Sequence, residues 1–201
     1  MTPKLAMTVF LIGAVIWFII RIPARRRARK TAVKLSGRGL REKVLMAISL
    51  AGLGIVPFAY VATQFGGARL RFLDFAERPF VPALAWLGTL AFAASLWLFY
   101  RTHKDLGRNW SVSLDIRESH KLVTTGVYAL VRHPMYSAFW LWAVAQALLL
   151  PNWIAGFSGI VGFGMLFFGR VGEEERLMCD AFGDEYRAYM RRTSRVVPGL
   201  Y

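Results

Sequence analysis

Apolar residues in this chain fall into long blocks separated by short polar stretches, and the blocks set its plan. Residues 5–22 are apolar apart from Thr8 and Arg21, about the length needed to cross a hydrocarbon core. A basic stretch follows, and residues 45–63 form a second block with Pro57 inside it. A proline there predicts a kink or local break, tolerated where neighbouring helices satisfy the freed carbonyl. Gly66-Gly67 opens a mixed-charge loop, and Pro79 and Pro82 introduce a third block at 83–100. Residues 135–150 and 153–169 are two further blocks around a Pro151-Asn152 turn, both short for tilted spans, so local thinning or a half-buried hairpin stays open. The pattern predicts an all-α, polytopic integral membrane protein with about five transmembrane helices. It divides into residues 1–100, three helices with a basic loop at 21–43, and residues 101–201, which carry a helical hairpin at 135–169 and further helices after it.

Composition and charge sharpen this picture. A chain of 201 residues that is 56% hydrophobic is too apolar for a soluble domain of its size. The net charge of +14 would suit nucleic acid, but the arginines flank apolar blocks and form no reading motif. The anionic cytoplasmic face of a membrane accounts for them better. Lys and Arg number ten in 21–43, six in 101–132 and six in 170–195, against one before the first block and three in 64–82. Five spans put the rich segments on one side, which predicts an external N-terminus and a cytoplasmic C-terminus. Positions near Arg26, Asp115 and Ser194 are then cytoplasmic, and those near Thr2 and Gly67 external. The single cysteine, Cys179, excludes an intramolecular disulfide and is read as inert. With no CxxC or HExxH spacing, no metal site is expected.

Candidate chemistry collects where the fourth block begins, at Gly126-Val127-Tyr128-Ala129-Leu130-Val131-Arg132-His133-Pro134-Met135-Tyr136. Proline suits the first position of a helix, and the residue before it is pushed towards an extended conformation. Arg132, His133, Tyr128 and Tyr136 therefore gather at a helix N-terminus, which favours an anionic group. Taken alone, Arg132 or Tyr136 reads equally well as an interfacial anchor. His103 and His120, taken singly, fit surface or packing roles more readily than catalysis. A second polar segment, Arg170-Val171-Gly172-Glu173-Glu174-Glu175, leaves the fifth block with three glutamates against the local basic bias. Those glutamates read either as a functional pair or as the acidic first turn of an interfacial helix.

In order and spacing, His120-Lys121-Leu122-Val123, Gly126-Val127-Tyr128, Arg132-His133-Pro134-Met135-Tyr136, an apolar hairpin, Glu174-Glu175, Phe182-Gly183-Asp184-Glu185-Tyr186 and Pro198 resemble the isoprenylcysteine carboxyl methyltransferase family. Phospholipid methyltransferases share its C-terminal pattern. The resemblance covers about 101–198, and the earlier blocks match only in character. It implies a methyltransferase region in the C-terminal half and S-adenosylmethionine as methyl donor, with S-adenosylhomocysteine as product. By position, His120, Leu122, Gly126 and Tyr128 would contact this cofactor, partly through backbone. Arg132, His133, Pro134 and Tyr136 would continue the wall, and Glu174 and Glu175 would close it. The catalytic candidates are Glu174, Glu175 and Arg170. The expected partners are a lipophilic or lipidated acceptor and membrane lipids, with neither nucleic acid nor metal.

A carboxylate acceptor is already a nucleophile and needs no base, and Arg170 is suited to holding it. An amine on a phospholipid headgroup must first lose a proton, which Glu174 or Glu175 is suited to accept. A third reading makes the chain a non-catalytic membrane scaffold or lipid-binding protein. Trp86, Trp97, Phe99, Trp140 and Trp142 read as packing or interfacial belt at least as readily as the lining of an acceptor path.

Overall fold

Prolines and glycines divide the apolar blocks into helices at the places where each loses or gains a backbone partner. A computed structural model describes residues 1–28, 35–36, 39–66, 71–107, 115–116 and 122–200. The helices are α1 (Pro3–Ala28), α2 (Leu40–Leu50), α3 (Val56–Gly66), α4 (Arg71–Asp74), α5 (Pro82–Leu106), α6 (Pro134–Leu149), α7 (Trp153–Phe182) and α8 (Asp184–Arg192). Two-residue strands, β1 (Leu35–Ser36) and β2 (Asp115–Ile116), pair antiparallel between the basic loop and the polar segment after α5. Gly67 and His120 lie outside the described residues.

Among the described residues, four helices are long and apolar enough to cross a membrane, counting α2 and α3 as one run: Pro3–Pro23, Leu40–Gly66, Pro82–Leu106 and Trp153–Phe182. With 16 residues, α6 reaches about 24 Å, short of a ~30 Å hydrocarbon core unless the bilayer thins around it. It is nevertheless apolar almost throughout and pairs with α7 as a hairpin. The chain is an all-α polytopic membrane protein. Ile12, Val15, Phe18 and Ile19 on α1 and Val161, Met165 and Phe168 on α7 stay exposed, as lipid-facing surface does.

The disturbance expected at Pro57 lies one turn earlier, where Ala51–Ile55 adopts π-helical geometry between α2 and α3. In that register the carbonyl of residue 52 faces the N–H of residue 57, which proline lacks. Gly52 O is instead satisfied from the side, by Gln146 Nε2 at 3.0 Å and Ser158 Oγ at 2.8 Å. Close approach makes this reachable: a Cβ on Gly52 would sit 2.2 Å from Ser158 O, and one on Gly162 would sit 2.7 Å from Ile48 O. Gly162 thus serves helix packing.

Contacts along α2 and α7 fix which ends lie together. Arg41 faces Glu173, Glu42 faces Arg170, Leu45 faces Gly169 and Gly52 faces Ser158. Trp17, late in α1, stacks on Phe99, late in α5, with ring centroids 5.1 Å apart. One end of the bundle therefore collects the ends of α1, α5 and α7 and the starts of α2 and α6. The opposite end holds the α6–α7 turn, where Arg78 donates to the carbonyls of Ala147 and Leu150 and its backbone N–H to Pro151 O.

The fifth apolar block does not end at Gly169. Helix α7 continues unbroken to Phe182, because Glu173-Glu174-Glu175-Arg176-Leu177 are good helix formers. The break comes at Gly183, whose φ of +55° suits glycine. The three glutamates therefore lie inside a helix and do not complement the dipole of a first turn. Helix α8 does so instead, with Asp184 and Glu185 at its start and Arg191 and Arg192 at its end.

Candidate functional site

The polar end of the bundle is built by three elements that meet at α7. His133 leaves helical geometry (φ −123°, ψ 62°) and Pro134 opens α6, so Arg132, His133 and Tyr136 stand at a helix start. Before them, Gly126–Ala129 forms a 3₁₀ turn held by Asp105, whose Oδ2 accepts from Val127 N at 3.0 Å. Gly126 sits at φ +63°, and a Cβ there would meet that carboxylate at 2.2 Å, so this position needs glycine. The third element is the tail after α8. It runs beside residues 131–133, with Arg132 N donating to Ser194 O at 2.8 Å and His133 N to Arg195 O at 2.9 Å. Ser137 Oγ adds a bond to Val196 O at 2.6 Å.

Glu175 is the hub of the inner part. It is 4% exposed. Arg132 donates to its Oε1 from Nε at 3.0 Å and Nη2 at 2.9 Å. Arg195 donates to its Oε2 from Nη2 at 2.8 Å and Nε at 3.1 Å, and His133 Nε2 lies 3.3 Å from Oε1. Arg132 also donates from Nη1 to the carbonyls of Met190 and Thr193, which ties α8 to the site. Two guanidiniums and an imidazole thus saturate one buried carboxylate, the condition under which such a charge is tolerated out of water.

Glu174, one residue earlier, faces another way. Its Oε2 accepts from Tyr136 OH at 2.5 Å and lies 3.7 Å from Arg170 Nε, and its Oε1 lies 3.7 Å from His133 Nδ1. Its side chain is 31% exposed. Arg170 also reaches α2, with Nη1 3.5 Å from Glu42 Oε1. His133 and Tyr136 stack with centroids 5.4 Å apart, so one aromatic step joins the two carboxylates.

Tyrosines wall the inner side. Tyr189 OH donates to Tyr128 O, and burial pushes its phenol up to about 12. Burial also raises the Tyr128 and Tyr186 phenols well above their ordinary value, and the nearby glutamates add to the rise. These groups stay neutral and serve packing and hydrogen bonding.

Of the candidate residues, Arg132, His133, Tyr136, Arg170, Glu174 and Glu175 come together, with Pro134 setting the turn. Tyr128 lies behind them and contributes its carbonyl to Tyr189. Leu122 is half-buried and Gly126 packs on Asp105. His120 is outside the described residues. His103 is buried far down α5, donating from Nδ1 to Phe99 O at 2.8 Å and packing on that ring. Sequence reasoning missed Arg195 and Glu42. Arg195 carried no signal beyond its charge, whereas Glu42 was a lone acid in a basic stretch, the same anomaly that singled out the three glutamates.

The model of the isoprenylcysteine carboxyl methyltransferase family matches residues 86–180. A protein-S-isoprenylcysteine O-methyltransferase B from Arabidopsis thaliana is 38% identical over 94 residues, 46% of this chain and 48% of that protein. The Homo sapiens protein-S-isoprenylcysteine O-methyltransferase is 36% identical over 90 residues, 45% of this chain and 32% of its own. The enzyme of that name from Dictyostelium discoideum is 30% identical over 151 residues, 69% of this chain and 62% of its own. Across these three, the chain spans from 32% to 62% of the relative's length. The family match begins in α5, takes in the whole hairpin and runs past the paired glutamates, and over these residues the chain is similar to the isoprenylcysteine carboxyl methyltransferase family.

Proposed function

We propose that this protein is an S-adenosylmethionine-dependent membrane methyltransferase that O-methylates the carboxylate of a lipophilic, isoprenylcysteine-like acceptor. The observation that carries this reading is the Arg170–Glu174–Tyr136 group. It is a cation beside a partly exposed, oriented carboxylate, at the end of the bundle where the apolar hairpin begins. The names of the matched relatives support the same chemistry.

The residues present fit such a donor. Among the described residues, Glu174 Oε1 takes no hydrogen bond, which leaves an acceptor for a hydroxyl or an ammonium. Bound S-adenosylmethionine supplies an electrophilic methyl group on a positively charged sulfur. Glu174, oriented by Tyr136 and flanked by His133, is the residue assigned to hold it. The backbone of 122–128 forms the opposite wall in this reading, and the family resemblance adds His120 as a cofactor contact. Glu175 stabilises that wall through Arg132, His133 and Arg195, with its own oxygens already engaged. Arg170 meets the acceptor's carboxylate, which arrives ionised, so no side chain has to take a proton. Alignment of the reacting groups is the protein's main contribution.

The Lys/Arg asymmetry supports a cytoplasmic polar end, an external start of α1 and a cytoplasmic tail. Cysteine labelling in sealed vesicles, in a Cys179→Ser background, tests this. Ser194→Cys is expected to react only from the cytoplasmic face and Thr2→Cys only from outside, and the reverse pattern overturns the orientation.

Calorimetry of the detergent-solubilised protein with S-adenosylhomocysteine tests the donor site. Glu174→Gln and His133→Ala are each expected to weaken binding by about 1–3 kcal/mol, the loss of a charged hydrogen bond. Wild-type affinity in both folded variants moves the site elsewhere. In a transfer assay with a prenylcysteine analogue and phosphatidylethanolamine in parallel, turnover of the amine alone overturns the carboxylate reading.

A further inference from the structure

Glu42 is the one acid of α2, and the proposed reaction gives it no role. It lies 8% exposed at the start of that helix, and neither carboxylate oxygen has a hydrogen-bond partner among the described residues. A buried carboxylate without donors is costly unless a charge compensates it. Here the compensating group is Arg170, with Nη1 3.5 Å from Glu42 Oε1 and Nε 3.7 Å from Glu174 Oε2. Both separations are ion-pair distances that fall short of a hydrogen bond. The guanidinium is therefore shared by two fixed carboxylates from different elements. An anionic acceptor at Arg170 meets a cation that two carboxylates already flank.

That arrangement bears on rate. As a carboxylate oxygen takes a methyl group, its charge disappears on the way to a neutral ester. A cation that grips the ionised form tightly stabilises the ground state more than the transition state, and so slows the step. A second negative charge behind the cation does the opposite: it repels the ionised acceptor most and the charge-depleted transition state least.

We propose that Glu42 is a positioning residue that tempers the hold of Arg170 on the acceptor's carboxylate, lowering acceptor affinity while keeping the bound oxygen nucleophilic. The inference rests on the carboxylate reading of the function. It assigns Glu42 no contact with the acceptor, because its effect passes through Arg170.

The test compares wild type with Glu42→Gln, which keeps the shape and removes the charge. With a prenylcysteine analogue and saturating donor, KM for the acceptor and kcat are both expected to fall, each by roughly three- to tenfold, leaving kcat/KM nearly unchanged. Without donor, calorimetry is expected to show tighter binding of the carboxylate by a similar factor. Binding of its neutral methyl ester and of S-adenosylhomocysteine should not change. Glu42→Asp keeps the charge and is expected to lie closer to wild type on every measure. Should the glutamine variant fail to fold, the aspartate variant carries the test, with tighter carboxylate binding and lower kcat expected to a smaller degree.

A merely structural Glu42 lowers thermal stability without separating the carboxylate from its ester, and that result overturns the proposal. So does a KM that rises or stays constant. A wild-type protein that neither binds nor methylates the carboxylate overturns the functional reading itself, and this inference with it. Wild-type carboxylate turnover with no change in Glu42→Gln overturns the inference alone.

Discussion

Glu174 and Glu175 are neighbours on one helix, yet the regions they face are built on opposite terms. Around Glu175 the charge is closed: two guanidiniums and an imidazole engage its oxygens at 2.8–3.3 Å, and the residue is almost wholly buried. Around Glu174 the charge is more open: Arg170 lies at 3.5–3.7 Å from two carboxylates, Tyr136 makes a short bond, and the side chain is 31% exposed. A saturated carboxylate has no acceptor left for a ligand, but it fixes the backbone of three separate segments. A partly exposed carboxylate keeps its charge available. Function at active sites is commonly carried by the second kind of arrangement, held in place by the first.

The largest expected effect breaks the closed cluster. Glu175→Ala leaves two guanidiniums facing each other without their carboxylate, and should cost about 3–5 kcal/mol of unfolding free energy in detergent micelles. A loss below ~1 kcal/mol would mean that the cluster is not a structural hub. Glu174→Gln sharpens the contrast. Its unfolding free energy should stay within ~1 kcal/mol of wild type while S-adenosylhomocysteine binding weakens as given above. If it destabilises as much as Glu175→Ala, the two regions do not differ in kind.

The smallest effect lies at the rim of the closed cluster. Tyr189→Phe removes the bond to Tyr128 O and should cost about 1 kcal/mol near neutral pH. The Tyr189 phenol is raised to about 12 in the folded protein, against about 10 unfolded. The unfolded chain therefore gives up this proton first. The corresponding stability is full below pH ~10 and is lost as pH climbs through about 12. Unfolding measured between pH 9 and about 12 should fall less steeply in the phenylalanine variant. The remaining slope comes in part from Tyr128 and Tyr186, which burial raises as well. An equal slope in both proteins would detach Tyr189 from the buried wall.

Much of the site was legible because its chemistry contradicts its surroundings. Proline after histidine at the start of an apolar block announces a helix start carrying Arg132 and His133, and that is where α6 begins. Three acids after an apolar block stand out against a basic chain. Reading them as a helix start failed because no residue between Gly169 and Phe182 stops a helix, and glycine inside an apolar run is not by itself a stop. Which glutamate points where was not legible. Adjacent helical residues lie about 100° apart, and only the packing of α6, α8 and the tail decides which direction is buried.

Local chemistry along the chain determined the helices, the proline disturbance in the second apolar run, the candidate Arg-His-Pro and glutamate stretches, and a membrane setting. Each of these follows from properties that reach only a few residues: apolar length, missing N–H groups, charge against its neighbours. Only the tertiary structure decided that Arg195 returns to Glu175 across 20 residues, that Glu42 reaches Arg170 from another helix, and that Gln146 satisfies the carbonyl of Gly52. A buried charge or carbonyl requires a partner, but its identity depends on which surfaces the folded chain brings within about 3 Å, and sequence spacing carries no such distance.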